Sequence, residues 1–195
     1  LPGCAMAAVG LQPAEEGRSR PCCVKLSDSV YQVCLAHALM TEREEVMGLL
    51  LGEVVGEDIN IWASMTLRRS DKRPDRCEIH PEQLVEATET AEKLSEESGR
   101  TTTVVGWYHS HPHITCLPSH VDLRTQQQYQ GMDNSFVGLI FAVFNADPRA
   151  GTMRYELMGF RSTNASPPER IELQVDVVPP CELLSEEEER RATAS

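Results

Sequence analysis

The sequence predicts an α/β fold with a mostly β core and helices placed before and after its central strand. Three observations carry that expectation. Residues 102–111 concentrate β-branched and aromatic side chains (Val104, Val105, Trp107, Tyr108), with no proline before Pro112. Residues 136–144 form an almost unbroken apolar run, the composition of a strand buried on both faces. Leu84, Ala87, Ala91 and Leu94 recur instead at helical spacing, on one side of a segment that opens at Pro81.

In chain order, residues 1–23, with scattered Pro, Gly and Arg, read as a flexible leader to one folded domain over 24–180. Ser27 is placed to cap a helix in which Val30, Val33, Cys34 and Ala38 share a face. Residues 45–55 and 59–68 read as paired strands. Pro81 at a first helical position, with Glu82 beside it, starts the second helix, and Gly99 ends it. After the strand 102–111, Pro112 cannot donate to a sheet ladder and Pro118 stands just before Ser119, so the residues between them form a loop that turns the chain back. Ser119-His120-Val121-Asp122 then has the spacing of a helix start, a capping Ser with an acid three positions on. Residues 153–160 pair with 136–144 across a turn from Asp147-Pro148 to Gly151. Residues 164–168 are a linker and 171–178 alternate as a final strand. Residues 181–195 make an acidic tail or the start of a truncated C-terminal helix, and no internal repeat is visible.

Composition narrows the class. At 195 residues and 41% hydrophobic content the chain is long enough for one domain with a well-buried core. Its seven cysteines are odd in number and include no C-x-x-C pair, which argues against a disulfide framework or zinc ribbon and for reduced thiols, hence a cytoplasmic and nuclear protein. A net charge of −12 argues against a nucleic-acid partner. The basic cluster over 68–76 is interrupted by Asp71 and Asp75 and reads as a solvated loop. No run approaches the ~20 apolar residues of a membrane span. Residues 1–4 lack the basic start and apolar centre of a secretory signal, and Met6 is a candidate natural start.

The chemistry concentrates in Gly106-Trp107-Tyr108-His109-Ser110-His111-Pro112 with Ser119 and Asp122. Side chains two apart on a strand share a face, so His109 and His111 can reach one ion. Asp122, at a helix start across the loop, supplies a third donor and leaves a fourth coordination position open, the pattern of a catalytic rather than a structural zinc site. Each part alone has a plainer meaning: Ser-x-x-Asp opens many ordinary helices, and lone histidines are mostly surface or core residues. All of them in one strand–loop–helix window is far more specific. Cys116 competes as a thiolate ligand, though Asp122 already fills the third position.

These residues carry a resemblance. His109-x-His111-x(7)-Ser119-x-x-Asp122 matches in full the signature of the JAMM (MPN+) zinc isopeptidases, which cut ubiquitin or ubiquitin-like proteins from lysine side chains. The signature includes an upstream Glu in E-x-x-G-x-x-x-G, and the spacing to Gly48 and Gly52 assigns that place to Glu45 over its neighbours Glu42 and Glu44. The likeness covers about residues 33–160 and is nearest to a subfamily of catalytic subunits in multi-subunit deubiquitinase complexes. Cys116 and Leu117 depart from that subfamily, the 52–62 segment looks shorter, and the chain stops at Ser195 where the subfamily continues into long helices that pair with a scaffold subunit.

The resemblance implies an MPN domain with a cytidine-deaminase-like core and one zinc per chain, held by His109, His111 and Asp122. Glu45 is then the general base that becomes the acid, and Ser119 a donor to the developing oxyanion. It further implies hydrolysis of lysine-63-linked polyubiquitin and a scaffold MPN-type partner, with no direct nucleic-acid or membrane partner. Two alternatives stay open: a JAMM isopeptidase for another linkage or ubiquitin-like protein, and a non-catalytic MPN scaffold. A deaminase is disfavoured, because no P-C-x-x-C accompanies the His pair.

Overall fold

A computed structural model describes residues 21–67, 79–147 and 151–183. Nearly all of the predicted leader, the basic cluster from Arg68 on, Pro148 in the predicted turn and the tail from residue 184 lie outside the described residues. The elements are β1 (Cys23–Ser27), α1 (Asp28–Ala38), β2 (Met47–Val55), β3 (Asp58–Thr66), α2 (Pro81–Ser98), β4 (Thr103–Pro112), α3 (His120–Met132), β5 (Val137–Asp147), β6 (Thr152–Ser162) and β7 (Arg170–Val178), ending in a 3₁₀ turn at Pro180–Leu183. The expected α/β class with a mostly β core is what the chain adopts.

The seven strands close into a barrel in the order β1-β3-β2-β4-β5-β6-β7. Closure depends on β1, which pairs in parallel with both β3 and β7. Sequence reading assigned this segment no strand, because it offers only Val24 and Leu26 as inward positions in five residues. The strand expected from residue 45 starts at Met47, leaving Glu45 and Val46 just ahead of it. In α1 the buried stripe is Val30, Cys34 and Ala38, whereas Val33, expected on that face, is 49% exposed. Spacing by four holds one face, and Val33 falls off that line. Ser27 stands at the cap position, but its hydroxyl pairs with Ser29 Oγ and makes no side-chain cap bond.

Helix α2 begins at Pro81 and ends on Gly99, whose φ of 70° is the left-handed C-cap that glycine takes without strain. In the α2 cap, the Gln83 side chain accepts the His80 N–H at 3.2 Å.

Two apolar cores occupy the two faces of the strands. Val30, Cys34 and Ala38 of α1 pack with Leu50, Ile61, Val105, Tyr108 and Phe141. Ala87 and Ala91 of α2 and Leu123 and Tyr129 of α3 pack with Leu49, Leu51, Val104, Trp107 and Phe160 on the other. Each wholly buried large aliphatic or aromatic side chain contributes about 1.5–3 kcal/mol, so these faces dominate the stability of the fold.

Strand β4 changes sides partway along. Against β2, Leu50 pairs with Gly106 but Leu51 pairs with Val104, so Val105 is an extra, bulged residue. Before the bulge Val104 faces α2 and α3; after it the odd-numbered Trp107 does. A one-residue slip moves every following side chain to the opposite face. His109 and His111 therefore share the face of Trp107, towards α3.

Gly48, opposite Tyr108 in the β2–β4 register, has no room for a side chain: a Cβ there would meet the Tyr108 ring and the Met65 carbonyl. Gly48→Ala is expected to lower unfolding stability by about 1–3 kcal/mol. Chemical denaturation should show it as an earlier midpoint at unchanged slope.

Candidate metal centre

The end of β4 and the start of α3 bring three donors together. His109, His111 and Asp122 are 0%, 2% and 3% exposed, and their ligand atoms all lie within 4.8 Å of one another. The His109 and His111 Nε2 atoms are 3.0 Å apart. Asp122 places Oδ1 3.5 Å from His109 Nε2 and Oδ2 3.7 Å from His111 Nε2. Donors about 2.0–2.1 Å from a tetrahedral ion stand about 3.3–3.4 Å apart, so this spacing fits one zinc-sized ion. Among the described residues this is the one such group.

The donors are presented in the form a cation needs. His111 Nδ1 is 2.8 Å from the Thr115 carbonyl oxygen, which can only accept, so Nδ1 carries a proton and Nε2 is the atom that can offer a lone pair to a cation once its own proton is displaced. His109 is oriented by rings: it stacks on Trp107 at 4.7 Å and 12°, with the edge of Phe160 beside it. The Trp107 indole in turn donates to Gln126 Oε1 at 2.8 Å, and the Gln126 amide donates to the Phe136 carbonyl and to Gln130 Oε1. His109 Nδ1 has no hydrogen-bond partner among the described residues, an open polar atom that bulk water does not reach.

Asp122 does two jobs. Its backbone N–H donates to Ser119 Oγ at 3.2 Å, and its Oδ2 accepts the Ser119 N–H at 2.6 Å. The capping-box reading and the ligand reading of this residue are thus compatible, since the helix cap is what aims the carboxylate. Burial alone would push the Asp122 carboxyl up, but hydrogen bonds from His109 and His111, the charge of His109 and the bond from Ser119 hold it well below the usual carboxylate range. For His111 burial opposes the charged form, yet bonds to Asp122 and Thr115 and the charge of Glu45 leave it above an ordinary imidazole.

Of the three upstream acids, Glu45 is the one placed 3.9 Å, by Oε1, from His111 Nε2. Glu42 instead pairs with His113 at 3.3 Å. Register explains the selection: Met47 pairs with His109, so the same antiparallel alignment carried two residues on sets Glu45 opposite His111. The thiol competitor is turned elsewhere: Cys116 Sγ donates to the Ile140 carbonyl at 3.3 Å, burial pushes it up to about 11, and it is not part of the group. Sequence reasoning overlooked Gln126, Thr115 and Ser110. Only Gln126 left a signal, one helical turn beyond Asp122 on the same face.

A family model described as JAB1/Mov34/MPN/PAD-1 ubiquitin protease matches residues 19–135. The chain is 53% identical over 160 residues to the Lys-63-specific deubiquitinase BRCC36 of Xenopus tropicalis, covering 80% of this chain and 61% of that one. It is 48% identical over 184 residues to that of Rattus norvegicus (80% and 63% covered) and 50% over 155 residues to that of Camponotus floridanus (80% and 60% covered). The chain therefore spans about three fifths of the length of these curated relatives. The solution structure of protein DSY2949 from Desulfitobacterium hafniense superimposes with a TM-score of 0.55 at 20% identity, covering 83% of this chain and 99% of that one, a likeness of fold.

A divalent ion must compete with protons for the imidazole lone pairs. Because His111 holds its proton above the ordinary imidazole range while Asp122 stays ionised, zinc affinity should fall as pH is lowered, the fall setting in above the pH at which an ordinary imidazole titrates, by about tenfold per pH unit for each proton displaced. Chelator competition between pH 5 and 8 measures this, and a flat profile would remove the imidazoles from the ligand set.

Proposed function

We propose, since the chain belongs to the JAB1/Mov34/MPN/PAD-1 ubiquitin protease family, that it is a zinc-dependent isopeptidase which hydrolyses lysine-63-linked polyubiquitin. The observation that supports this best is the pairing of a buried His-His-Asp group with a fourth side chain, Glu45, that stands beside the donors without belonging to them. Three ligands and a nearby carboxylate are the division of labour of a hydrolytic site rather than of a structural ion.

His109, His111 and Asp122 would hold the ion. Bound zinc supplies Lewis acidity to the isopeptide carbonyl and brings the ionisation of an attacking water from 15.7 to about 7. Glu45 takes the proton of that water at its carboxylate and returns it to the departing lysine amine, a base that becomes an acid within one turnover. The Ser119 hydroxyl, whose oxygen accepts the Asp122 N–H, keeps its own hydrogen to donate to the oxyanion. A well-placed donor of this kind contributes on the order of 3 kcal/mol. The second proton of the water stays on the tetrahedral hydroxyl and leaves when the new carboxylic acid ionises against the freed lysine amine, so no covalent enzyme intermediate is needed.

The linkage preference rests on relatives named Lys-63-specific deubiquitinase at about half identity. A scaffold partner of the same fold, which the resemblance of the sequence implies, is part of the proposal too.

The deciding experiment measures zinc content and cleavage of a panel of di-ubiquitins of defined linkage, with and without a scaffold subunit. Glu45→Gln should keep one zinc and lose at least about 10²-fold in rate, as removal of a general base does. His109→Ala and Asp122→Ala should lose the zinc itself. Bound zinc with no cleavage of any linkage in either condition would sink the enzyme reading.

A further inference from the structure

The pairing of β2 with β4 reaches one residue past its last strand pair. The Ser110 N–H donates to the Val46 carbonyl at 2.9 Å, the bond an antiparallel ladder makes at that step. The return bond is different: the Val46 N–H donates to the Ser110 side-chain Oγ, also at 2.9 Å, where the Ser110 carbonyl would be the ladder's usual acceptor. Ser110 is wholly buried, and strand alternation turns its side chain to the face opposite His109 and His111. The chain enters the sheet at Val46, held there by two bonds. Glu45 is the preceding residue, outside any strand and with its side chain 31% exposed.

We propose that Ser110 is a positioning residue for Glu45. Its hydroxyl holds the Val46 amide, and so keeps the Glu45 carboxylate beside the metal-binding group during the reaction assigned above, on which this inference rests. A plain strand continuation would also bond Val46, but through the β4 carbonyl; the hydroxyl lets the backbone turn out of the pleat while its amide stays satisfied. Misplacing a reacting group by about 1 Å lowers rate by about 10²-fold. A side chain that contacts neither substrate nor metal can therefore control turnover through its neighbour's backbone.

The test compares Ser110→Ala and Ser110→Thr with wild type in zinc-loaded protein. It reads zinc content, kcat and KM on lysine-63-linked di-ubiquitin, and amide exchange by NMR at Val46 and at Leu49, Leu50 and Leu51. Ser110→Ala should keep its zinc, lower kcat by about 10²-fold with KM within about twofold, and speed exchange at Val46 by about tenfold or more while the three leucine amides stay protected. Ser110→Thr, which retains the hydroxyl, should recover both the protection and the rate. Unchanged exchange at Val46 in Ser110→Ala overturns the clamp, and faster exchange at unchanged kcat overturns its role in positioning. Zinc loss, or faster exchange through the leucines as well, makes Ser110 a residue of the fold instead. A wild-type protein that holds zinc and cleaves no chain overturns the reaction, and with it the positioning, while exchange at Val46 still decides the clamp.

Discussion

In the β2–β4 ladder Val105 has no partner of its own, and everything reactive in this molecule follows from that extra residue. Had the pairing run on without it, Trp107, His109 and His111 would have shared the side of Val105 and faced α1, whose buried stripe of Val30, Cys34 and Ala38 offers no carboxylate. The bulge turns them instead towards α3, where the first helical turn carries Asp122. Bulges bend a strand and re-aim its side chains, and here the re-aimed residues are the two imidazoles. The same ladder, regular again beyond the bulge, sets Met47 against His109 and thereby aligns Glu45 with His111. One pairing thus fixes both the side on which the donors stand and the acid that joins them.

Taking two imidazoles and a carboxylate out of water is unfavourable unless each finds a partner. The fold answers for each one separately. Asp122 receives Ser119 and the two histidines, His111 receives the Thr115 carbonyl, and His109 is gripped by the faces and edges of rings. The ring support has a support of its own, because the Trp107 indole is pinned by Gln126, itself wholly buried and bonded to the Phe136 carbonyl. A single α3 face accordingly presents Asp122 to the site and, one turn later, Gln126 to the residue that steadies His109. Such outer partners orient donors and tune them as much as the donors' own identity does.

Much of this was legible in the sequence, for local reasons. Strands β4 and β5 announced themselves through β-branched and apolar runs, α2 through Pro81, its apolar spacing and Gly99, and the His-Ser-Asp window through composition that few other chemistries require. What escaped depended on partners far away in the chain. Strand β1 is five residues long and gains its meaning only by bridging β3 and β7. Val33 looked as apolar as its neighbours but lies off the buried stripe of α1. The bulge at Val105 has no sequence mark, since Val-Val-Gly suits a regular strand as well as a bulged one. The choice of Glu45 over Glu42 came from a resemblance, and its physical cause, antiparallel register with β4, became visible only with both strands in place.

The exposure of these groups differs in a way that suits the proposed reaction. The donor side chains of His109, His111 and Asp122 are 0–4% exposed, whereas that of Glu45 is 31% exposed. Ligands do best fixed and dry, because low dielectric strengthens their hold on a cation and packing removes alternative rotamers. A base that must take a proton from one molecule and give it to another needs access to both, which full burial would deny. Exposure, however, costs a side chain the packing that would hold it still. On the positioning proposed for Ser110, its two bonds to Val46 ease that conflict by restraining the backbone next to Glu45. In the proposed reaction, holding falls to the buried end of β4, and proton movement to Glu45, two residues ahead of β2.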